Sequence, residues 1–265
     1  HSSRVNSGGT GLCNHATATR ARARGTGRLA MSIGEQHIVK SYDVELSKLA
    51  DTLARMGGLA EAQLGAAIEA LDTRDSDLAG RVTGGDAAID ECDTFVNEQA
   101  VKVLALRAPV ADDLRTVVTA LKIAGEIERI GDLAANAAKR SLVLNQLPPV
   151  APARSVVRLG RLSLAMVKDV LDAYLGNDAA RAVAVRDHDQ ELDETYSSLF
   201  RELLTYMMED PRTITACSHL MFIAKNLERI GDHATNIAEM THFRVTGTPL
   251  VAARAKRDDS TAAGI

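Results

Sequence analysis

Four carboxylate pairs of this chain, matched two by two, stand four residues apart: Glu128 with Asp132, Glu228 with Asp232, Asp86 with Asp90, and Asp189 with Asp193. On a helix each pair stacks two like charges, at a cost of about 0.2–0.5 kcal/mol unless something outside the helix offsets it. Oxygen-only donor sets suit hard or borderline cations. The rise of about 6 Å between such residues lets neighbouring carboxylates bridge more than one metal ion.

The pairs are duplicated in order. The segment Leu121-Lys122-Ile123-Ala124, running on to Glu128-Arg129-Ile130-Gly131-Asp132 and Asn136, returns as Met221-Phe222-Ile223-Ala224, running to Glu228-Arg229-Ile230-Gly231-Asp232 and Asn236. Upstream, Val82, Asp86, Ile89, Asp90 and Glu91 correspond to Val185, Asp189, Leu192, Asp193 and Glu194. If the helices carrying each half's two pairs are adjacent, four carboxylates line each of two seams. A different arrangement would leave the acids solvated and neutralised by Arg129, Arg229, Arg115 and Arg212 in surface ion pairs. His188 and His233 adjoin seam acids, but neighbouring helical residues point about 100° apart, which disfavours shared ligation. Asn136 and Asn236 could offer carbonyl oxygens, or serve in caps and interhelical hydrogen bonds.

The elements that must position these groups are helices. Leu46, Leu49, Leu53, Met56, Leu59, Leu64, Ile68 and Leu71 mark one long amphipathic helix, closed by the capping segment Thr73-Arg74-Asp75-Ser76. Further helices are expected over about 77–106, with Gly84 and Gly85 weakening it, then 110–144, 153–175, 178–208 and 212–243. Within the repeat, Val117, Ala120, Ala124, Ile127, Gly131 and Ala138 form an apolar stripe with Glu128, Asp132 and Asn136 along its edge. Cys217, Leu220, Ala224, Leu227, Gly231 and Ala238 trace the matching stripe. All six prolines fall between helices.

These spacings predict an all-α fold of two tandem antiparallel three-helix bundles, an internal repeat. Residues 1–30 read as a disordered or non-native extension, 31–147 as the first bundle, 148–247 as the second, and 248–265 as a flexible tail. Apolar residues make up 46% of the chain but aromatics only 3%, so the core must be built from Ala, Leu, Val, Ile and Met. Cys13, Cys92 and Cys217 are odd in number and irregular in spacing, which suggests neither a disulfide framework nor a zinc cluster. Residues 31–265 hold 26 basic and 35 acidic groups, a poor match to nucleic acid. No apolar run approaches the roughly 20 residues of a membrane span, and a cytoplasmic location is expected. No Gly-rich loop precedes Lys-Ser/Thr, so ATP binding is not suggested.

Pro109-Val110-Ala111-Asp112-Asp113-Leu114-Arg115, both ERIGD copies, and Leu204-Thr205-Tyr206-Met207-Met208-Glu209-Asp210-Pro211-Arg212 resemble the PhoU family of bacterial phosphate-signalling proteins, over about 31–247. The resemblance implies a usually dimeric, non-enzymatic pair of three-helix bundles whose E/DxxxD motifs bind multinuclear clusters of Fe, Mn, Mg or Zn. By motif, the metal positions would be Asp86, Asp90, Glu128, Asp132, Asp189, Asp193, Glu228 and Asp232. It further implies partners: a phosphate ABC transporter ATPase and a membrane sensor histidine kinase, through which alone the protein would meet the membrane. Phosphate uptake and starvation signalling would be restrained when phosphate is plentiful.

Two other classes compete. A carboxylate-bridged dimetal oxidase of the ferritin-like kind needs two inward ExxH pairs, whereas this chain has one such spacing, Glu239 to His242, with Lys139 and Leu142 at its counterpart. A metal-free helical adaptor is the third, and it predicts no thermal shift on metal addition.

Overall fold

A computed structural model describes residues 33–85 and 87–250, with side chains from Tyr42 onward. Asp86, the expected extension over 1–30, and most of the expected tail lie outside the described residues. The described residues are mostly helical, with no strand among them. The helices are α1 (Ile33–Thr73), α2 (Ser76–Gly84), α3 (Ala87–Arg107), α4 (Ala111–Leu144), α5 (Ala153–Gly176), α6 (Ala179–Glu209) and α7 (Ile214–Thr246), the last preceded by a short 3-10 turn at Pro211–Thr213.

Local chemistry sets the ends. Asp75 and Asp178 cap α2 and α6, their carboxylates accepting from the N–H groups of Leu78 and Arg181. The residue before each cap is left-handed, Arg74 at φ 55° and Asn177 at φ 52°. The 103-residue offset of the repeat therefore extends back into the turns after α1 and α5. One expected helix differs: the element foreseen over 77–106 is broken into α2 and α3 at Gly84 and Gly85, while α6 runs on through Asp187 and His188. Each glycine gives up about 1 kcal/mol of helix propensity, which weakens the end of α2, whereas the adjacent Gly57 and Gly58 stay helical within α1, where Gly57 is packed against Leu171.

The repeat folds about a pseudo-twofold axis. α1 packs on α4 and α5, and α7 packs on the same two, so these four helices form a central ring. α2 and α3 cover α1 and α4; α6 covers α5 and α7. At the α1–α5 contact, Gly57 opposes Leu171 and Gly160 opposes Ile68, where a methyl group would come within 2.7 and 2.8 Å. The 103-residue offset carries the first of these contacts onto the second. α4 and α7 cross antiparallel, since Glu126 meets His233 while Arg140 lies 4.1 Å from the ring centre of Phe222.

Both stripes expected on the repeated helices are buried in full, from Val117 to Ala138 and from Cys217 to Ala238. Burial goes further, taking in Ile123, Ile130, Ala134, Ala135 and Ala137, because α4 has neighbours on most of its circumference. The apolar interior is continuous across both halves and almost free of aromatic rings. Small Ala and Gly side chains let the helices approach closely, and close approach supplies the dispersion contacts.

Candidate metal-binding seams

The first seam runs where α3 lies along α4. Ile89, Cys92 and Val96 face inward on α3, which leaves Asp90 exposed and Asp93 partly buried on its flank. On α4, Glu128 and Asp132 are both partly buried beside the apolar stripe. The Glu128 carboxyl is held above its usual range, first by burial, then by the negative charge of Asp132, with Asp90 and Asp93 adding to it and Arg129 partly offsetting it. Asp93 is also raised, by burial and by Asp90, against a hydrogen bond from Asn97. Asp90, Asp93, Glu128 and Asp132 thus share one electrostatic field. Arg129, itself largely exposed, stands 3.5 Å from Glu128.

The second seam lies between α6 and α7. A methyl group at Gly231 would come 2.1 Å from Leu192 Cδ2 and 3.6 Å from Asp189 Oδ1, so α6 sits directly on α7 between Glu228 and Asp232. Asp189 is buried here, whereas Asp193 is exposed. Glu228 Oε2 is buried without a hydrogen-bond donor of good geometry, but Lys225 Nζ stands 2.7 Å away as an ion pair. The same ammonium lies 5.4 Å from the ring centre of Tyr196 on α6.

The other candidates fall elsewhere. His233 Nδ1 lies 2.7 Å from Glu126 Oε2, and Asn236 donates to that same oxygen at 3.1 Å, so both tie α7 to α4 across the pseudo-twofold. His188 and Asn136 are exposed. Arg115 pairs with Asp112 and Arg212 with Asp210, near the start of each repeated helix. His242, of the single ExxH spacing, is at the end of α7 beside the Thr248 carbonyl. Cys92 and Cys217 are buried free thiols.

Three residues absent from the expected set shape the seams: Asp93, Lys225 and Tyr196. Asp93 follows Asp90 by three and Lys225 precedes Glu228 by three, a spacing that places each on the same helix face as its seam acid. Tyr196 has no such local signal, because its role depends on a contact between helices.

By donor chemistry the residues fit a hard cation. Both seams are built from carboxylates, and in the first, burial and then neighbouring negative charge hold a carboxyl above its usual range. As the side chains stand, no three His, Cys, Asp or Glu among the described residues close on one point, so ligation would require these partly exposed acids to change rotamer. Where Asp86 would stand in such a set lies outside the described residues.

Known proteins are similar to this chain in sequence and fold. The PhoU domain family matches the chain twice, over residues 53–141 and 156–241. A phosphate-specific transport system accessory protein PhoU homolog from Caulobacter vibrioides is 51% identical over 224 residues, 84% of this chain and 97% of that protein. The phosphate-specific transport system accessory protein PhoU of Escherichia coli is 38% identical over 214 residues, 80% and 88% of the two chains. The crystal structure of PhoU from Pseudomonas aeruginosa superposes with a TM-score of 0.76 at 39% identity, covering 78% of this chain and all of that one. That of the phosphate transport system regulatory protein PhoU from Streptococcus pneumoniae gives 0.72 at 29% identity, covering 80% and 100%.

Proposed function

The chain belongs to the PhoU family, and from that premise we propose that it is a metal-binding regulatory adaptor of phosphate uptake. An accessory and regulatory role in phosphate transport is what the names of its relatives carry. The finer reading is that it acts in the cytoplasm as a non-enzymatic homodimer. It restrains the ATPase of a phosphate ABC transporter and, through a sensor histidine kinase, the starvation response. Among the described residues no helix is long and apolar enough to cross a membrane, which accords with a membrane role exercised through partners.

The observation that carries the metal reading is the first seam, where Glu128 is raised by burial and by the negative charge of Asp132, Asp90 and Asp93. Those residues would hold a cation there, with Asp189, Asp193, Glu228 and Asp232 in the second seam. A divalent ion would supply the positive charge that cancels carboxylate repulsion. The chain's own residues do the rest: Leu192 packed on Gly231 fixes α6 against α7, and Glu126 bonded to His233 and Asn236 fixes one half against the other. Repulsion relieved at a seam would thus tighten α3 on α4 or α6 on α7 and set the surface that partners meet.

Titrating metal-stripped protein with Mn, Mg, Fe or Zn while recording melting tests the metal reading. A rise of several degrees with at least one of them is expected, and no shift with any ends it. Replacing Asp132 and Asp232 together by Ala should weaken association with the transporter ATPase or the kinase and raise phosphate-starvation output. Unchanged association and unchanged output would defeat the regulatory reading.

A further inference from the structure

The two seams are built on corresponding helices and differ in charge at two facing positions. The two ERIGD copies lie 100 residues apart, which maps Lys225 of α7 onto Gly125 of α4, and the 103-residue offset upstream of them maps Tyr196 of α6 onto Asp93 of α3. Relative to the second seam, the first has lost a cation and gained an anion. The two differences meet in space, because the Lys225 ammonium touches Glu228 at 2.7 Å and lies 5.4 Å from the centre of the Tyr196 ring.

We propose that Lys225 is a tethered countercharge built into the second seam, an internal cation spanning α6 and α7 that has no counterpart in the first, so that the first seam relies more on cations from solution.

An ion pair three residues apart on one helix is ordinary and weak when exposed. This one reaches further, since the ammonium also rests on a ring contributed by the opposing helix and so spans the α6–α7 contact. Its partner is shielded, the Glu228 side chain being only 14% exposed. In the first seam Gly125 has no side chain and open space where a Cβ would stand, and Asp93 presents a carboxylate in place of a ring. An external divalent ion approaching the second seam must therefore displace or tolerate a positive charge that has no counterpart at Gly125, the first seam's own cation being Arg129, 3.5 Å from Glu128 and largely exposed. Lys225 would act as a residue that sets affinity, ranking the seams for metal loading.

The test has two arms on the full chain, and only the second rests on the metal-binding reading above. In metal-stripped protein, Lys225→Met keeps the stem and removes the charge, and should lower the melting temperature. Gly125→Lys should raise it by more than Gly125→Met, which controls for the gain in helix propensity. The second arm is a calorimetric titration with Mn²⁺, each seam being isolated by Asp132→Asn or Asp232→Asn in the other. With the first seam disabled, Lys225→Met should tighten Mn²⁺ binding about tenfold; with the second disabled, Gly125→Lys should weaken it by about the same factor. Unchanged or weaker binding in Lys225→Met overturns the proposal, as does unchanged melting in both charge variants. Should the unaltered chain bind no Mn²⁺, the metal reading falls, and the melting arm alone decides whether Lys225 is a countercharge.

Discussion

The two halves of the molecule are alike in their interiors and unlike along their acidic edges. Gly57 against Leu171 and Gly160 against Ile68 are one contact made twice, and Asp75 and Asp178 cap corresponding helices in the same way. The seams depart from this symmetry. α2 and α3 are separated at Gly84 and Gly85 just before the first seam, while α6 continues unbroken along the second. Glu128 shares its field with three other acids, while Glu228 is paired with Lys225. A duplicated fold keeps what packing requires in both copies, because a change on one side of the axis disturbs the shared core. Charges at the rim face solvent on one side and are free to diverge.

The largest expected effect separates close packing from open space within the repeated helices. Gly231 carries Leu192 almost in contact with its backbone, whereas a Cβ at Gly125 would meet nothing within 4 Å. Gly231→Ala should therefore force Leu192 and α6 outward and cost about 1–3 kcal/mol, as overpacked sites do. Gly125→Ala should gain somewhat less than about 1 kcal/mol, since it fills no occupied space and improves helix propensity. Urea denaturation of both variants measures the pair. Equal signs would mean that the α6–α7 approach is looser than Leu192 against Gly231 indicates.

The next effect concerns the tie between the halves. Glu126 accepts from Asn236 and meets His233, and its counterpart in the second half is Asn226, so the tie exists once and not twice. Burial alone would push the Glu126 carboxyl up, but hydrogen bonds to His233 and Asn236 hold it below its usual 4.5. A lowered carboxylate contributes stability in full above its unfolded value, and that contribution is lost as pH falls through the lower folded one. Glu126→Gln should destabilise the chain by about 1.5 kcal/mol at neutral pH, with the difference from wild type shrinking below pH 4.5. A pH series of denaturation midpoints measures it, and a loss that stays constant down to acid pH would mean the carboxylate charge is not what matters.

Much of the fold could be read from residue spacing, since apolar positions recurring every three or four residues report which side of a helix is buried. The stripes through Val117 and Cys217, the capping segment around Asp75 and the proline punctuation all act locally. The crossing of the halves does not. Whether Glu126 meets His233, 107 residues away, depends on which buried faces oppose each other, and Ala-rich stripes permit more than one register. The seams fall between these cases: the acids are visible as i,i+4 pairs, and the pairing of α3 with α4 follows from short connections. Yet the charge balance turns on Asp93, Tyr196 and Lys225, whose partners lie on another helix.

The smallest effect tests the seams directly, by the same substitution on either side of the axis. Glu128 costs stability when charged, since burial and its acidic neighbours raise its pKa. For a raised carboxyl the cost is full above the folded pKa and disappears as pH falls below the ordinary 4.5, the reverse of Glu126. In metal-stripped protein at neutral pH, Glu128→Gln should stabilise by about 0.5 kcal/mol, and the gain should vanish in acid. Glu228→Gln removes the anion from an ion pair and leaves Lys225 with the Tyr196 ring and the charge of Asp232, so it should destabilise by about 0.5 kcal/mol. The magnitudes are near the limit of a denaturation experiment, but the signs are opposite and the acid dependence is distinctive. Adding Mn²⁺ should turn the Glu128→Gln gain into a loss, because the repulsion that the variant removes is the same repulsion that a bound cation would exploit. Two variants that behave alike, with and without metal, would mean that the seams are equivalent and that the lysine is an ordinary surface charge.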